Sequence, residues 1–177
     1  MEVKTIIETA KAYKADGNEF FKACNYKKTL FKYHLSLNEL KVVRVPGQKA
    51  TEADTMAAMV GSGGPIANNT EDLDDINQLK RTIHLNMANC YCKEEKYRKA
   101  IEAASRSIDI EPTAKAFYRR AMAWIGREDY DEAMSDLKEA AALDPTDRAV
   151  KAEMDVVEKK KKAEAVRQRK QLAGMFG

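Results

Sequence analysis

The sequence predicts an all-α fold made of consecutive helix pairs, and three observations carry that prediction. The first is composition: of 177 residues 33% are charged and 44% hydrophobic, with only eight glycines and four prolines. That mixture, rich in Ala, Glu, Lys, Leu and Met, favours helix. The second is a repeat of fixed period. Setting 86–112 above 119–145 places Ala88 over Ala121, Tyr91 over Trp124, Tyr97 over Tyr130, Ala100 over Ala133 and Pro112 over Pro145, every pair 33 residues apart. The third is an upstream copy, in which Gly17, Phe20, Tyr26, Thr29 and Tyr33 fall at the same internal offsets.

Each unit combines small residues and aromatics at helical spacing with a short break and a second helical run ending near proline. Small residues let two helices approach closely, aromatics fill the gap between neighbouring pairs, and proline cannot continue the helix. Such pairs bury their apolar faces only against their neighbours. In chain order the first pair falls at about 4–22 with 26–41, the second at 74–92 with 96–110, and the third at 113–126 with 130–143. Residues 42–73 form an insertion between the first two units. Its GSGG-P and ANNT pieces are flexible and turn-forming, while TEADTMAAMV offers a turn or two of helix with Met56 and Met59 exposed. A last helix, from about 147 to 172, begins with Ala149, Met154 and Val157, placed to cover the end of the stack. Its later turns are almost wholly polar. A single domain over residues 1–177 accommodates all of these elements.

A net charge of +3 is too small to demand a nucleic-acid partner, but it is unevenly placed: from Lys151 to Gly177 eight Lys or Arg stand against four Asp or Glu. The plainest reading of this tail is a solvated helix end, where cations suit the terminus. Its thin apolar stripe (Ala163, Val166, Leu172, Phe176) supports a calmodulin or anionic-surface contact only weakly. No segment approaches the roughly 18 consecutive apolar residues of a membrane span, and MEVKTIIETAKAYK lacks the features of a secretory signal. Cys24, Cys90 and Cys92 are odd in number and without CxxC spacing, so they read as reduced thiols of a cytoplasmic or nuclear protein. His34 and His84 are the only histidines and neither lies at ligand spacing from a second donor. There is no glycine-rich phosphate loop, and no serine or cysteine has an evident histidine partner. Neither a cofactor nor catalysis is expected.

The repeated small, aromatic, alanine and proline positions resemble the tetratricopeptide repeat (TPR), and the match spans most of the chain. Three copies are the usual minimum for a stable array. The resemblance implies a superhelix in which the first helix of each pair lines a concave groove. TPR units are normally 34 residues long, so the 33-residue spacing implies one residue fewer in 111-EPTAK-115, and with it either a tighter turn before the third pair or a different start of its first helix.

On those groove helices five residues match the carboxylate clamp of co-chaperone TPR domains, which binds the extreme C-terminal Glu-Glu-Val-Asp of heat-shock proteins 90 and 70. They are Lys14 and Asn18 on the first, Asn86 on the second, and Lys115 and Arg119 on the third. Lys115 and Arg119 set like charges one turn apart on one side of a helix, an arrangement that an anion relieves. A C-terminal aspartate presents two carboxylates. Lysine and arginine supply charge-assisted hydrogen bonds of about 1.5–3 kcal/mol each, while asparagine amides orient the oxygens without adding charge. Phe21, beyond Asn18 on the same helix, is placed to wall a pocket for an apolar side chain, with core packing an equal alternative. Singly, each of these residues has a bland explanation, such as a solvated lysine or an asparagine bonded to a neighbouring helix. The signal lies in the five together.

The run 118-YRRAMAW-124, the run DLKEAAALDP and the basic helix ending in 175-MFG-177 are similar to the TPR domains of the large FK506-binding immunophilins. In that family a prolyl isomerase domain precedes the repeats, whereas here the chain opens directly into the first repeat. The long insertion and the GMFG ending resemble the tetratricopeptide repeat protein nine family of small stand-alone TPR proteins. The function these resemblances imply is a non-enzymatic co-chaperone adaptor that docks on a chaperone tail, cytoplasmic, with the nucleus as the alternative location. A TPR scaffold for some other peptide and the TPR fragment of a prolyl isomerase are the alternatives.

Overall fold

The computed structural model describes residues 2–44, 64–67 and 69–175. Among these, seven helices follow one another: α1 (Val3–Lys22), α2 (Tyr26–Lys41), α3 (Thr70–Lys93), α4 (Tyr97–Ile110), α5 (Ala114–Gly126), α6 (Tyr130–Leu143) and α7 (Arg148–Met175). The described residues contain no strand, and none of these helices is long and apolar enough to cross a membrane. The all-α fold of successive helix pairs is therefore the fold observed.

The turn inside each pair is built the same way three times. Cys24, Glu95 and Glu128 adopt left-handed backbone, with φ of 55°, 57° and 66°. Each is followed by a residue whose amide reaches five positions back along the ended helix: Asn25 to the Phe20 carbonyl at 2.9 Å, Lys96 to Tyr91 at 2.8 Å, and Asp129 to Trp124 at 3.0 Å. The left-handed residue itself donates to Phe21, Cys92 or Ile125. This is the Schellman termination, which satisfies carbonyls that the helix leaves open. The carbonyls that receive the longer bond belong to the aromatic positions of the repeat.

The chain forms two compact units, Met1–Cys90 and Tyr91–Gly177, with α3 passing through the boundary. In the first unit α1 packs on α2 through Ile6, Ile7 and Ala10 against Leu30, Tyr33, Leu37 and Leu40. The Ser36 hydroxyl donates to the Ala10 carbonyl at 2.6 Å, so its burial between the two helices leaves no unmet polar group. Helix α3 buries Ile76, Leu79, Ile83 and Met87, and Lys11 of α1 reaches its Asp75 at 3.0 Å. Helix α3 begins four residues before the start expected from the periodicity. The signal for this lies in 69-NTED-72: Asn69 Oδ1 accepts from the Asp72 amide at 2.6 Å while Asn69 Nδ2 donates to the Asp72 carboxylate at 3.0 Å, a reciprocal cap.

The two ends of the insertion are tied together. The Arg44 amide donates to Pro65 and the Ala67 amide to Arg44, at 2.9 and 3.0 Å, with Val43 and Ala67 buried. Gly64 is obligatory here, since a Cβ would lie 1.8 Å from the Val42 carbonyl oxygen. The TEADTMAAMV segment with Met56 and Met59 lies outside the described residues.

In the second unit α4 packs on α5, α5 on α6 and α6 on α7. The core is Ala121 and Ile125 of α5, Ala133, Leu137 and Ala140 of α6, and Val150 and Val157 of α7. Alanines at these crossings allow close approach, and the half-buried Phe117, Tyr118, Trp124 and Met154 fill in around them. Covering of the end by α7 thus uses Val150, Met154 and Val157. Ala149 is exposed, contrary to the sequence expectation, because α7 starts at Arg148 and its inward stripe runs at 150, 154 and 157, the four-then-three spacing of one helix face. Beyond Val157 the helix is solvated: Val166 and Leu172 are more than half exposed, and Phe176 lies outside the described residues. The link before α5 is residues 111–113, one shorter than the link 144–147 before α7. Thr113 caps α5 by accepting from the Ala116 amide at 3.3 Å.

Candidate functional site

Lys14, Asn18 and Phe21 lie on the second half of α1, and Asn86 on the second half of α3. The first unit brings Asn18 and Asn86 together: Asn86 Nδ2 donates to Asn18 Oδ1 at 3.3 Å. The Tyr33 hydroxyl donates to the same oxygen at 2.7 Å. These three residues, with Phe21, Ala15 and Asn89, line a cavity of about 340 Å³. At its edge Lys22 pairs with Glu19 at 2.8 Å. The Phe21 ring is in turn packed on Tyr26, its centroid 5.7 Å from that ring and tilted to it by 57°.

Lys14 stands one helical turn before Asn18 and is half-buried. Burial holds its ammonium below the usual lysine range, and the neighbouring Lys11 charge adds to the effect. Its charge is thus maintained against desolvation and repulsion, and an anion beside it would offset both. Burial also raises the Tyr33 phenol to about 12, with an opposing contribution from its hydrogen bond with Asn86. The hydroxyl therefore keeps its proton at neutral pH.

In the second unit Lys115 and Arg119 stand one turn apart on α5. Lys115 is exposed on the first turn, where the helix dipole already favours negative charge. Arg119 is half-buried and close enough to Cys92 to act on its thiol: burial pushes that thiol up, and the Arg119 and Lys93 charges pull it down. Arg120, next in sequence, faces elsewhere. It grips the buried Asp136 through two bonds of 2.7 and 2.8 Å and donates to Ser105 at 3.0 Å. It is a structural residue, not a spare cation.

Each unit therefore gathers its own share of the five residues, three in the first and two in the second. Tyr33 and Asn89 were not singled out by the sequence. Tyr33 was visible only as a repeat aromatic, and its phenolic oxygen, which Phe20 at the other aromatic position lacks, was the one available hint. Among the described residues no group of three His, Cys, Asp or Glu stands together as a metal ion would require.

Comparison with known proteins fixes the fold. Residues 114–147 match the tetratricopeptide repeat family model. The peptidyl-prolyl cis-trans isomerase FKBP4 of Mus musculus is 23% identical over 96% of this chain, which spans about a third of that protein, 32% of its length. Among solved structures, the C-terminal TPR-containing domain of a Plasmodium falciparum protein described as FK506-binding superposes with a TM-score of 0.72 at 23% identity, covering 93% of this chain and 96% of that one. The first TPR of Spaghetti (RPAP3), bound to the HSP90 peptide SRMEEVD, gives 0.62 at 16% identity over 86% of this chain and 94% of that one. The second TPR domain of human RPAP3, in complex with the HSP70 peptide SGPTIEEVD, gives 0.60 at 18% identity, covering 89% and 98%.

Proposed function

From the premise that this chain carries the tetratricopeptide-repeat fold, we propose that it is a non-enzymatic adaptor that binds the free C-terminal Glu-Glu-Val-Asp tail of heat-shock protein 90 or 70. In this reading Lys14, Asn18 and Asn86 of the first unit and Lys115 and Arg119 of the second hold the carboxylates of the terminal aspartate. Phe21 walls the space taken by an apolar side chain of the peptide. The observation that carries the reading is the first-unit cavity, where two asparagine amides and an aromatic wall meet one turn from a half-buried lysine. Charged acceptors bonded to such groups in a partly desolvated site gain more than neutral ones. Solved TPR domains of the same fold hold heat-shock peptides ending in this motif, which supports the same ligand here. A cytoplasmic location follows from the proposed partner.

The test is a titration of the whole chain with Met-Glu-Glu-Val-Asp as free acid and as C-terminal amide, read by calorimetry or by fluorescence of Trp124. Micromolar binding, about −8 kcal/mol, is expected for the free acid alone, weakened by salt and lost in Lys115→Ala. Equal binding of the amide, or no binding of either peptide, overturns the proposal. A second reading, that the chain is the TPR part of a prolyl isomerase, draws on the 96% of this chain that aligns with one third of FKBP4.

A further inference from the structure

The Tyr33 side chain has a single seat. Its ring lies against Gly17, where even a Cβ would come within 2.6 Å of Cε1. The helix on which Gly17 sits presents Asn18 as the next residue, and the hydroxyl meets Asn18 Oδ1 at 2.7 Å. Asn86 Nδ2 reaches that same oxygen at 3.3 Å. A side-chain carbonyl has two lone pairs, and these two donors occupy both. The amide of Asn18 is thereby held in one of its two flip states. Its Nδ2, with two N–H donors, is the polar group left for the cavity that Asn18 lines. A free asparagine side chain can turn either end toward a ligand, and its oxygen would repel a carboxylate where its nitrogen attracts one.

We propose that Tyr33 is a positioning residue that fixes the Asn18 amide with its NH2 toward the peptide carboxylate. The assignment rests on the peptide-binding reading above and adds to it the source of the preference for an anion at a neutral side chain. It also gives the pair Gly17–Asn18 a joint reason: glycine admits the ring, and the ring's hydroxyl orients the asparagine.

Tyr33→Phe keeps the ring on Gly17 and removes only the hydroxyl. Affinities for Met-Glu-Glu-Val-Asp, free acid and amide, are measured for the full chain as wild type, Tyr33→Phe, Asn18→Ala and the double variant. Tyr33→Phe is expected to lose roughly tenfold toward the free acid. In the Asn18→Ala background it should cost nothing further, because its effect passes through Asn18. A purely structural tyrosine would add its loss to that of Asn18→Ala, and that additivity overturns the assignment. The wild-type ratio of acid to amide decides the peptide-binding reading separately from the variants. The orientation has its own readout: the two Asn18 side-chain NH protons should give resolved NMR signals that shift in Tyr33→Phe, and unchanged signals overturn the assignment whatever the peptides do.

Discussion

In the pair α1/α2 the buried polar atoms that cross between helices are neutral: Ser36 gives its proton to Ala10, and Tyr33 to Asn18, while Lys32 meets Asp16 at 2.7 Å where that carboxylate is 54% exposed to solvent. In the pair α5/α6 the crossing is ionic, with Arg120 held bidentate on a carboxylate that is only 5% exposed. The two pairs share repeat offsets and turn geometry, so the difference isolates the polar device. A broken neutral bond strands one dipole, which a small shift or a water satisfies. A broken buried ion pair strands a charge, and the surrounding alanines offer nothing to solvate it. The first device leaves the pair free to lend its polar atoms to a cavity. The second ties them up in holding helices together.

The largest expected effect breaks that comparison most directly. Asp136→Ala should destabilise the chain by about 3 kcal/mol, toward the low end for a buried pair because Arg120 is itself 24% exposed; Ser36→Ala should cost about 1 kcal/mol. Urea unfolding of the two variants would show equal losses if the ionic and neutral devices were equivalent. Next in size are the two glycines under tyrosine rings. Gly17→Ala sets a Cβ 2.6 Å from the Tyr33 ring, and Gly126→Ala sets one 2.2 Å from the Tyr97 ring. Overpacking of this kind costs about 1–3 kcal/mol. Gly17→Ala should be the worse despite its longer distance, because Tyr33 is buried and Tyr97 is only half-buried and has room to swing outward. Thermal denaturation that ranks them the other way would mean contact distance, not the freedom of the neighbour, sets the cost. The smallest effect has the opposite sign. Replacing Cys24, Glu95 or Glu128 by glycine relieves left-handed strain and should stabilise by about 0.5 kcal/mol each, the gain being trimmed by the looser unfolded chain.

The period of 33 residues and the small and aromatic positions were enough to place the helix pairs, because close packing between helices demands residues of particular size at particular offsets, and size is legible in a sequence. The shortened link at 111–113 followed from the same arithmetic. What escaped was chemistry that depends on angle. Val150 instead of Ala149 faces the core because one residue of phase turns a helix by about 100°. The start of α3 at Thr70 depended on a cap, Asn69 with Asp72, that carries no hydrophobic signal. The left-handed positions are held by Cys and Glu, residues with no preference for that conformation, so nothing in their identity announced it. At the candidate site the side chains were legible as types, but the shared oxygen of Asn18 was not, since it arises from three residues on three helices.

The three turns that close the helix pairs, at 23–25, 94–96 and 127–129, are the same length, whereas the links that follow the pairs are 42–69, 111–113 and, before α7, 144–147. A Schellman turn fixes both its residue count and the handedness of its middle, so an added or lost residue there destroys the termination and the approach of the two helices with it. The links carry no such requirement. Evolutionary insertion and deletion in this chain therefore have a permitted address and a forbidden one. The same rule tells a protein engineer where to splice: a reporter or affinity sequence placed between pairs leaves the repeats standing, and one placed within a pair does not.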